Sequence, residues 1–381
     1  MLKSRSFWIG MAVTALLVGW FVWRNWDKFP DMKRAFQDAD WRLALLSLPV
    51  YFLGLFVRTV RWQYLLRPVK KVGALRLFPV VIIGLMANNV LPARAGELAR
   101  AYVLGQRERI SKTTSLGTIA VDRLFDGVTL IPLMLIVAAI AGDKANFRVF
   151  GHNLNFAGLG IVMTALFGVA LGVLFYLALS DRGRHLLHRM VHRFAPRRLK
   201  PHVEGLLLSF FDGLHALRSP VDLAVAWVMS LVSWLLEATM YYMVARAFGI
   251  HEGFEIFILM TAAANLAIAI VATQGGVGAF ELVVSKTIIA FAGSAAAAAA
   301  VQKDAAAYAI GLHALLLIPI VAIGLALMWS MDLSFSQMLS SGRSDAEPVP
   351  VAAEGADAAR VVSGGPSGRQ PNPAVHGGGR K

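Results

Sequence analysis

The chain has 381 residues, of which 57% are hydrophobic and only 16% charged, with a formal net charge of +14. Mean hydropathy is +0.61, and runs of about 20 apolar residues, the length that crosses a bilayer core, recur along the chain. The absence of cysteine excludes disulfides, thiolate nucleophiles and cysteine–zinc sites, and the positive charge reads as cytoplasmic loops against anionic lipid, with no nucleic acid as partner.

Lys3 and Arg5 followed by an apolar stretch from Phe7 to Trp23 resemble a signal peptide. The stretch has no small-residue cleavage site and ends in Trp23-Arg24-Asn25-Trp26, so it reads as a retained first helix. Further apolar runs lie at 43–66, 75–91, 113–141, 155–179, 223–248, 254–272, 277–299 and 305–330. Segment 180–222 carries Arg182, Arg184, Arg189, Arg193, Arg197, Arg198, Lys200 and Arg218 and is expected to be cytoplasmic, whereas the links 142–154 and 249–253, poor in Lys and Arg, are expected outside. Both termini are then cytoplasmic, in a bacterial inner membrane. Arg67, Lys70, Lys71 and Arg76 place link 67–76 inside, and Arg94, Arg100, Arg107, Arg109 and Lys112 start segment 93–112 inside as well. Run 75–91 cannot begin and end inside if it crosses, so a re-entrant hairpin is predicted: 75–91 climbs partway, turns at Asn88–Pro92, and 93–110 returns. Runs 254–272 and 277–299 admit the same treatment from outside, around Gly275-Gly276, although two full crossings satisfy the topology equally. Two such hairpins would form an inverted pair. The fold class is therefore all-α, a polytopic membrane protein of about six to nine membrane segments. Within the basic loop, Val203 to Leu217 reads as an interfacial helix with Leu206, Leu207, Phe210, Phe211, Leu214 and Leu217 on one face. A membrane domain over 1–339 is followed by a Gly-, Pro-, Ala- and Ser-rich tail over 340–381, expected to be disordered and cytoplasmic.

Charges inside spans are informative because each costs about 2.5–3.5 kcal/mol at the centre of an inserting helix. Asp122, Arg123 and Asp126 lie near mid-depth of 113–141, where Arg123 reaches Asp126 at i, i+3. They form either a self-neutralising packing triad or the lining of a polar cavity. Glu237, one turn before Tyr241 and Tyr242, needs a cationic partner or a raised pKa. Arg58 and Arg61, near the inner end of 43–66, either snorkel or serve the site. Asn88, Asn89, Arg94, Glu97 and Arg100 surround the first break, and Gly275, Gly276, Gly278 and Glu281 the second. After each break a helix starts inside the membrane with free N–H groups and a positive dipole end, a plausible phosphate cradle. The glycines would let an anion approach the backbone, or only permit tight helix packing. Glu97 and Glu281 would pair with arginines or exchange protons. His188 and His192 stand i, i+4 in a loop crowded with arginine and read as headgroup-facing. No metal site and no cofactor is expected.

Together, Asn88-Asn89-Val90-Leu91-Pro92 with Gly96-Glu97 and Arg100, Ser111, Val121-Asp122-Arg123-Leu124-Phe125-Asp126 and Gly275-Gly276-Val277-Gly278-Ala279-Phe280-Glu281 resemble the transmembrane region of lysylphosphatidylglycerol synthases and their stand-alone, flippase-like UPF0104 relatives. The resemblance covers nearly all of residues 7–330. Thr273-Gln274 stands where relatives commonly carry proline, and Asp122 where many have glutamate. The resemblance implies movement of a lipid between leaflets, with the cargo an aminoacylated phospholipid, a polyprenyl-phosphate-linked sugar or a hopanoid. The aminoacyl-transfer domain of the bifunctional relatives has no counterpart after Ser340, so no synthetase activity is expected.

The reading is an inner-membrane flippase or scramblase for an anionic, phosphate-bearing lipid. Arg94, Arg100 and Arg123 would hold the headgroup, and Glu97, Asp122, Asp126, Glu237 and Glu281 would balance them or carry coupling protons. A membrane-surface enzyme acting on polyprenyl phosphate or phospholipid headgroups is the rival, opposed by the lack of a GxSxG elbow, a P-loop or zinc spacing. The third reading is an accessory subunit that scaffolds a lipid- or glycan-synthesis enzyme.

Overall fold

The computed structural model describes residues 29–91, 95–141, 146–149, 152–155, single positions between 158 and 189, and residues 219–270, 274–292 and 295–333. The first helix at 7–23, Pro92, Arg94, most of the run 155–179, the interfacial helix 203–217 and the tail 340–381 lie outside the described residues.

The elements are α1 (Phe29–Asp38), α2 (Trp41–Leu66), α3 (Ala74–Val90), α4 (Gly96–Glu108), α5 (Lys112–Ala141), a small antiparallel pair β1 (Asn146–Val149) and β2 (His152–Asn155), α6 (Pro220–Ala247), α7 (Phe254–Ile270), α8 (Ala279–Phe291) and α9 (Ala295–Ser330). Their ends follow local chemistry. The Asp40 carboxylate accepts from the backbone N–H groups of Arg42 and Leu43 at the start of α2. Ser219 caps α6, whose first residue is Pro220 and whose first turn holds Asp222. Helix α6 ends where Gly249 takes φ 73° and the Ile250 N–H turns back to the Ala245 carbonyl. The expected run 277–299 is split: helix ends at Phe291, and the polyalanine stretch opens α9 instead. Link 142–154, expected outside for its paucity of Lys and Arg, holds most of the β1–β2 hairpin, in which Asn146 pairs with Asn155 and Val149 with His152.

The helix lengths repeat. The set α2–α5 runs 26, 17, 13 and 30 residues, and α6–α9 runs 28, 17, 13 and 36. The packing repeats as well. Helix α2 lies against α6; α3 pairs with α4 as α7 pairs with α8; and α3 packs on α9 as α7 packs on α5. Helices α2 and α6 are antiparallel, as three contacts along their length show. The Asp40 N–H donates to the Ala247 carbonyl at 2.9 Å, Gly54 faces Ser233 and Leu236, and Arg67 approaches Asp222 at 3.7 Å. Equivalent helices that cross antiparallel are related by a two-fold axis perpendicular to them, so the two sets form an inverted repeat within the bilayer plane.

At 13 residues each, α4 and α8 reach only about 20 Å and cannot cross the hydrocarbon core. Each folds back on the 17-residue helix before it. Both hairpins are thus re-entrant, including the second, which topology alone left open. The first enters from the side of Arg67, Lys70 and Glu108, and the second from the side of the β-hairpin, next to which α8 lies.

Candidate functional site

The first break is held by a buried ion cluster. Arg61, with a fully buried side chain, donates from Nε to Asp122 Oδ1 at 2.9 Å and from Nη1 to Asp126 Oδ1 and Ser230 Oγ, both at 2.8 Å. Arg100 Nη1 takes the other Asp122 oxygen at 2.9 Å and stacks over Trp62, 3.6 Å from the ring centroid. Arg123 reaches Asp126 Oδ2 at 3.1 Å and lies 3.5 Å from Glu97 Oε1. Three guanidinium groups thus meet three carboxylates, which is how charges persist away from water. Asn88 links this cluster to the backbone: its Nδ2 donates to Glu97 Oε1 at 3.3 Å, and its Oδ1 accepts the Gly96 N–H at 2.8 Å.

The second break is built from glycine. Gly275, Gly276 and Gly278 have φ of 61°, 75° and 87°, a region where side chains are strained. The Gly278 N–H donates to Glu281 Oε2 at 2.7 Å, the N3-glutamate half of a capping box on α8. Glu281 Oε1 lies 2.6 Å from His313 Nδ1 of α9, and His313 Nε2 donates to the Gly275 carbonyl at 2.9 Å. Phe280 stacks on the imidazole, with centroids 4.4 Å apart. At each half-helix start, where the expected phosphate cradle lies, one N–H is taken from within: that of Gly96 by Asn88 Oδ1 on α4 and that of Gly278 by the Glu281 carboxylate on α8.

Between the two breaks lies a cavity of about 150 Å³. Asn88 and Asn89 face it from the first break, and Gly275 and Gly276 from the second. Its polar wall continues through Arg58, Arg123, Glu237, Asn265 and His313, and its apolar wall includes Leu85, Ile268, Leu316, Leu317 and Ile320. Arg58 pairs with Glu237 at 3.2 Å and lies 4.3 Å from the Trp234 ring centroid, while Asn265 donates to the other Glu237 oxygen at 3.1 Å. Two donors on cavity-lining residues have no hydrogen-bond partner, Nε of Arg58 and Nε1 of Trp234, and Nε of Arg123 has only the 3.5 Å contact to Glu97. A buried donor without an acceptor costs about 1–3 kcal/mol, so the cavity is chemically suited to a group rich in acceptor oxygens. Among the described residues no group of three or more His, Asp or Glu is arranged to hold a metal ion.

A sequence profile of the lysylphosphatidylglycerol synthase transmembrane region matches residues 7–324. The chain belongs to that family. Among its relatives, a UPF0104 membrane protein of Methanothermobacter thermautotrophicus is 27% identical over 272 residues, 66% of this chain and 76% of the relative. A UPF0104 membrane protein of Pyrococcus horikoshii is 22% identical over 293 residues, covering 74% and 85%. Glycosyltransferase AglD of Haloferax volcanii is 27% identical over 299 residues, 70% of this chain but only 47% of AglD. No solved structure matches the chain.

In this family member the predicted site residues divide into two tiers. Asn88, Asn89, Arg123, Glu237, Gly275 and Gly276 line the cavity. Arg100, Asp122 and Asp126 stand behind it in the ion cluster, Glu97 bridges that cluster to Asn88, and Gly278 and Glu281 hold the second break. Arg94 lies outside the described residues. Arg58 and Arg61, for which snorkelling was one reading, turn inward to Glu237 and to Asp122 and Asp126. Asn265, Trp234 and His313 carry no local signal in the sequence. The clue available for His313 was its position in a long apolar run, where an ionisable residue is a functional candidate by default.

Proposed function

We propose that this protein moves an anionic, phosphate-bearing lipid between leaflets of the inner membrane, binding its headgroup in the cavity between the two breaks. The observation that carries this reading is the cavity's cationic, donor-rich wall: Arg58 and Arg123 line it, and Arg58 and Trp234 each hold a buried N–H without a hydrogen-bond partner, beside an apolar wall fit for the adjoining chain segment. An amphipathic cargo needs both surfaces. The inverted repeat supports it further, since two oppositely oriented halves around one central site are the architecture of alternating access. The end of the molecule bearing Arg67, Lys70, Lys71, Arg76, Arg107 and Arg109 is then cytoplasmic by the positive-inside rule.

The test is leaflet movement of fluorescent phosphatidylglycerol and fluorescent polyprenyl-phosphate analogues in proteoliposomes of the full chain. Wild type is expected to accelerate movement of at least one. Arg123→Gln is expected to reduce it by roughly 10- to 100-fold, the worth of a charge-assisted hydrogen bond. Absence of protein-dependent movement of both lipids overturns the reading. The similarity to glycosyltransferase AglD favours a second reading, in which this chain serves glycosyl transfer to a lipid carrier. It predicts a change in the mass of the lipid, whereas transport leaves the lipid chemically intact.

A further inference from the structure

The His313–Glu281 pair has hydrogen-bond geometry that requires a proton. A carbonyl oxygen only accepts, so the 2.9 Å contact from His313 Nε2 to the Gly275 carbonyl fixes a hydrogen on Nε2. Glu281 Oε2 already accepts from the Gly278 N–H. The remaining contact, 2.6 Å between His313 Nδ1 and Glu281 Oε1, joins two atoms that both carry lone pairs unless one proton lies between them. Whether that proton resides on imidazole or carboxyl, the pair is neutral overall with it and carries one negative charge without it.

The same three contacts fasten the second break to α9. Gly275 is held by its carbonyl, Gly278 by its N–H, and both converge on groups that share the proton. The tip so held also abuts the first break: a side chain at Gly275 would meet Leu317 of α9 and the Asn89 carbonyl of α3. We propose that the His313–Glu281 pair is a proton-binding site whose occupancy latches the second break to α9, and that proton release frees that wall of the cavity, making the passage of cargo proton-linked. This rests on the transport reading for its purpose but not for its chemistry.

The other titratable groups facing the cavity are Tyr51 and Arg58 of α2, Arg123 of α5, and Glu237 and Tyr241 of α6; α3 and α7 contribute the amides of Asn88, Asn89 and Asn265. Arg58 is paired with Glu237, and Arg123 with Asp126 and Glu97. Helix α8 itself adds Lys286, and α9 adds Asp304 and Tyr308, whose hydroxyl donates to the Tyr241 carbonyl. Helix α1 turns Met32 and Phe36 toward the core, with Lys33 and Arg34 exposed. None of the ion pairs named among these residues includes His313 or Glu281, so the bridging proton belongs to this pair.

Since the chain has no cysteine, Val277→Cys gives a unique attachment point for a spin label at the second break. Its accessibility to a water-soluble relaxation agent is measured in nanodiscs of the full chain across a series of pH values. Accessibility is expected to rise with pH through one transition involving a single proton, and the transition is expected to vanish in His313→Gln and in Glu281→Gln. Flat accessibility in the wild-type background overturns the proposal without reliance on either variant, as does an unchanged transition in both. Lipid movement is read on the same variants in proteoliposomes. A transition without any movement leaves the latch standing and removes the transport reading; movement without a transition does the reverse.

Discussion

Asp122 and Arg123 are adjacent in sequence, yet one is fully buried between Arg61 and Arg100 and the other keeps 35% of its side chain exposed beside the cavity. Breaking a buried ion pair by neutralising one partner costs about 3–5 kcal/mol, because the remaining charge stays desolvated. Asp122→Asn is therefore expected to lower the thermal unfolding midpoint of the purified protein sharply. Arg123→Gln is expected to shift it less, since Arg123 is only half-buried and Asp126 keeps Arg61 as a partner, while losing lipid movement. A midpoint for Asp122→Asn equal to wild type would contradict the packing described. Sequence reasoning found both residues and the Arg123–Asp126 contact because that contact is local, at i, i+3. It left Arg61 between snorkelling and function because its carboxylate partners lie 61 and 65 residues away, on another helix. Distance along the chain, not unusual chemistry, hid the partner.

The half-helices depend on close backbone approach. A Cβ at Gly96 would collide with the Gly84 carbonyl and the Asn88 side chain, whereas one at Gly73, before α3, would meet nothing. Gly96→Ala is thus expected to destabilise the first hairpin by about 1–3 kcal/mol, the usual cost of overpacking, with Gly73→Ala near wild type; thermal midpoints of the two variants check this. Helix breakers and basic loops made the first hairpin readable, because proline, glycine and charge act on the residues next to them, whereas the second was left open between a hairpin and two full crossings. The capping of each half-helix was not readable in the same way. It depends on Asn88 and Glu281 turning back on the N–H groups of Gly96 and Gly278, and the sequence equally accommodates a ligand in their place.

Across the whole molecule, the inverted repeat places the end of α4 and the start of α7 on opposite faces. In sealed vesicles of known orientation, Arg107→Cys is expected to react with an impermeant thiol reagent only from the cytoplasmic face, and His251→Cys only from the other; both native positions are exposed. Labelling of both from one face would refute the inversion. Sequence reasoning read the inverted pair of hairpins but not the four-helix extent of the repeat, because the halves share helix lengths rather than chemistry: most of the charged groups lie in the first half, and the first-half helices find their partners in the second. That division has a temporal side. At roughly 5–20 residues per second, synthesis needs on the order of 10–40 s to pass from Asp126 to the end of α9. Throughout that interval the first hairpin stands in lipid without the helix that will cover it. Its polar tip endures the wait because Arg61, Arg100 and Arg123 already have Glu97, Asp122 and Asp126 in the same half, so the nascent chain meets the ribosome's next segment with its most costly charges already neutralised.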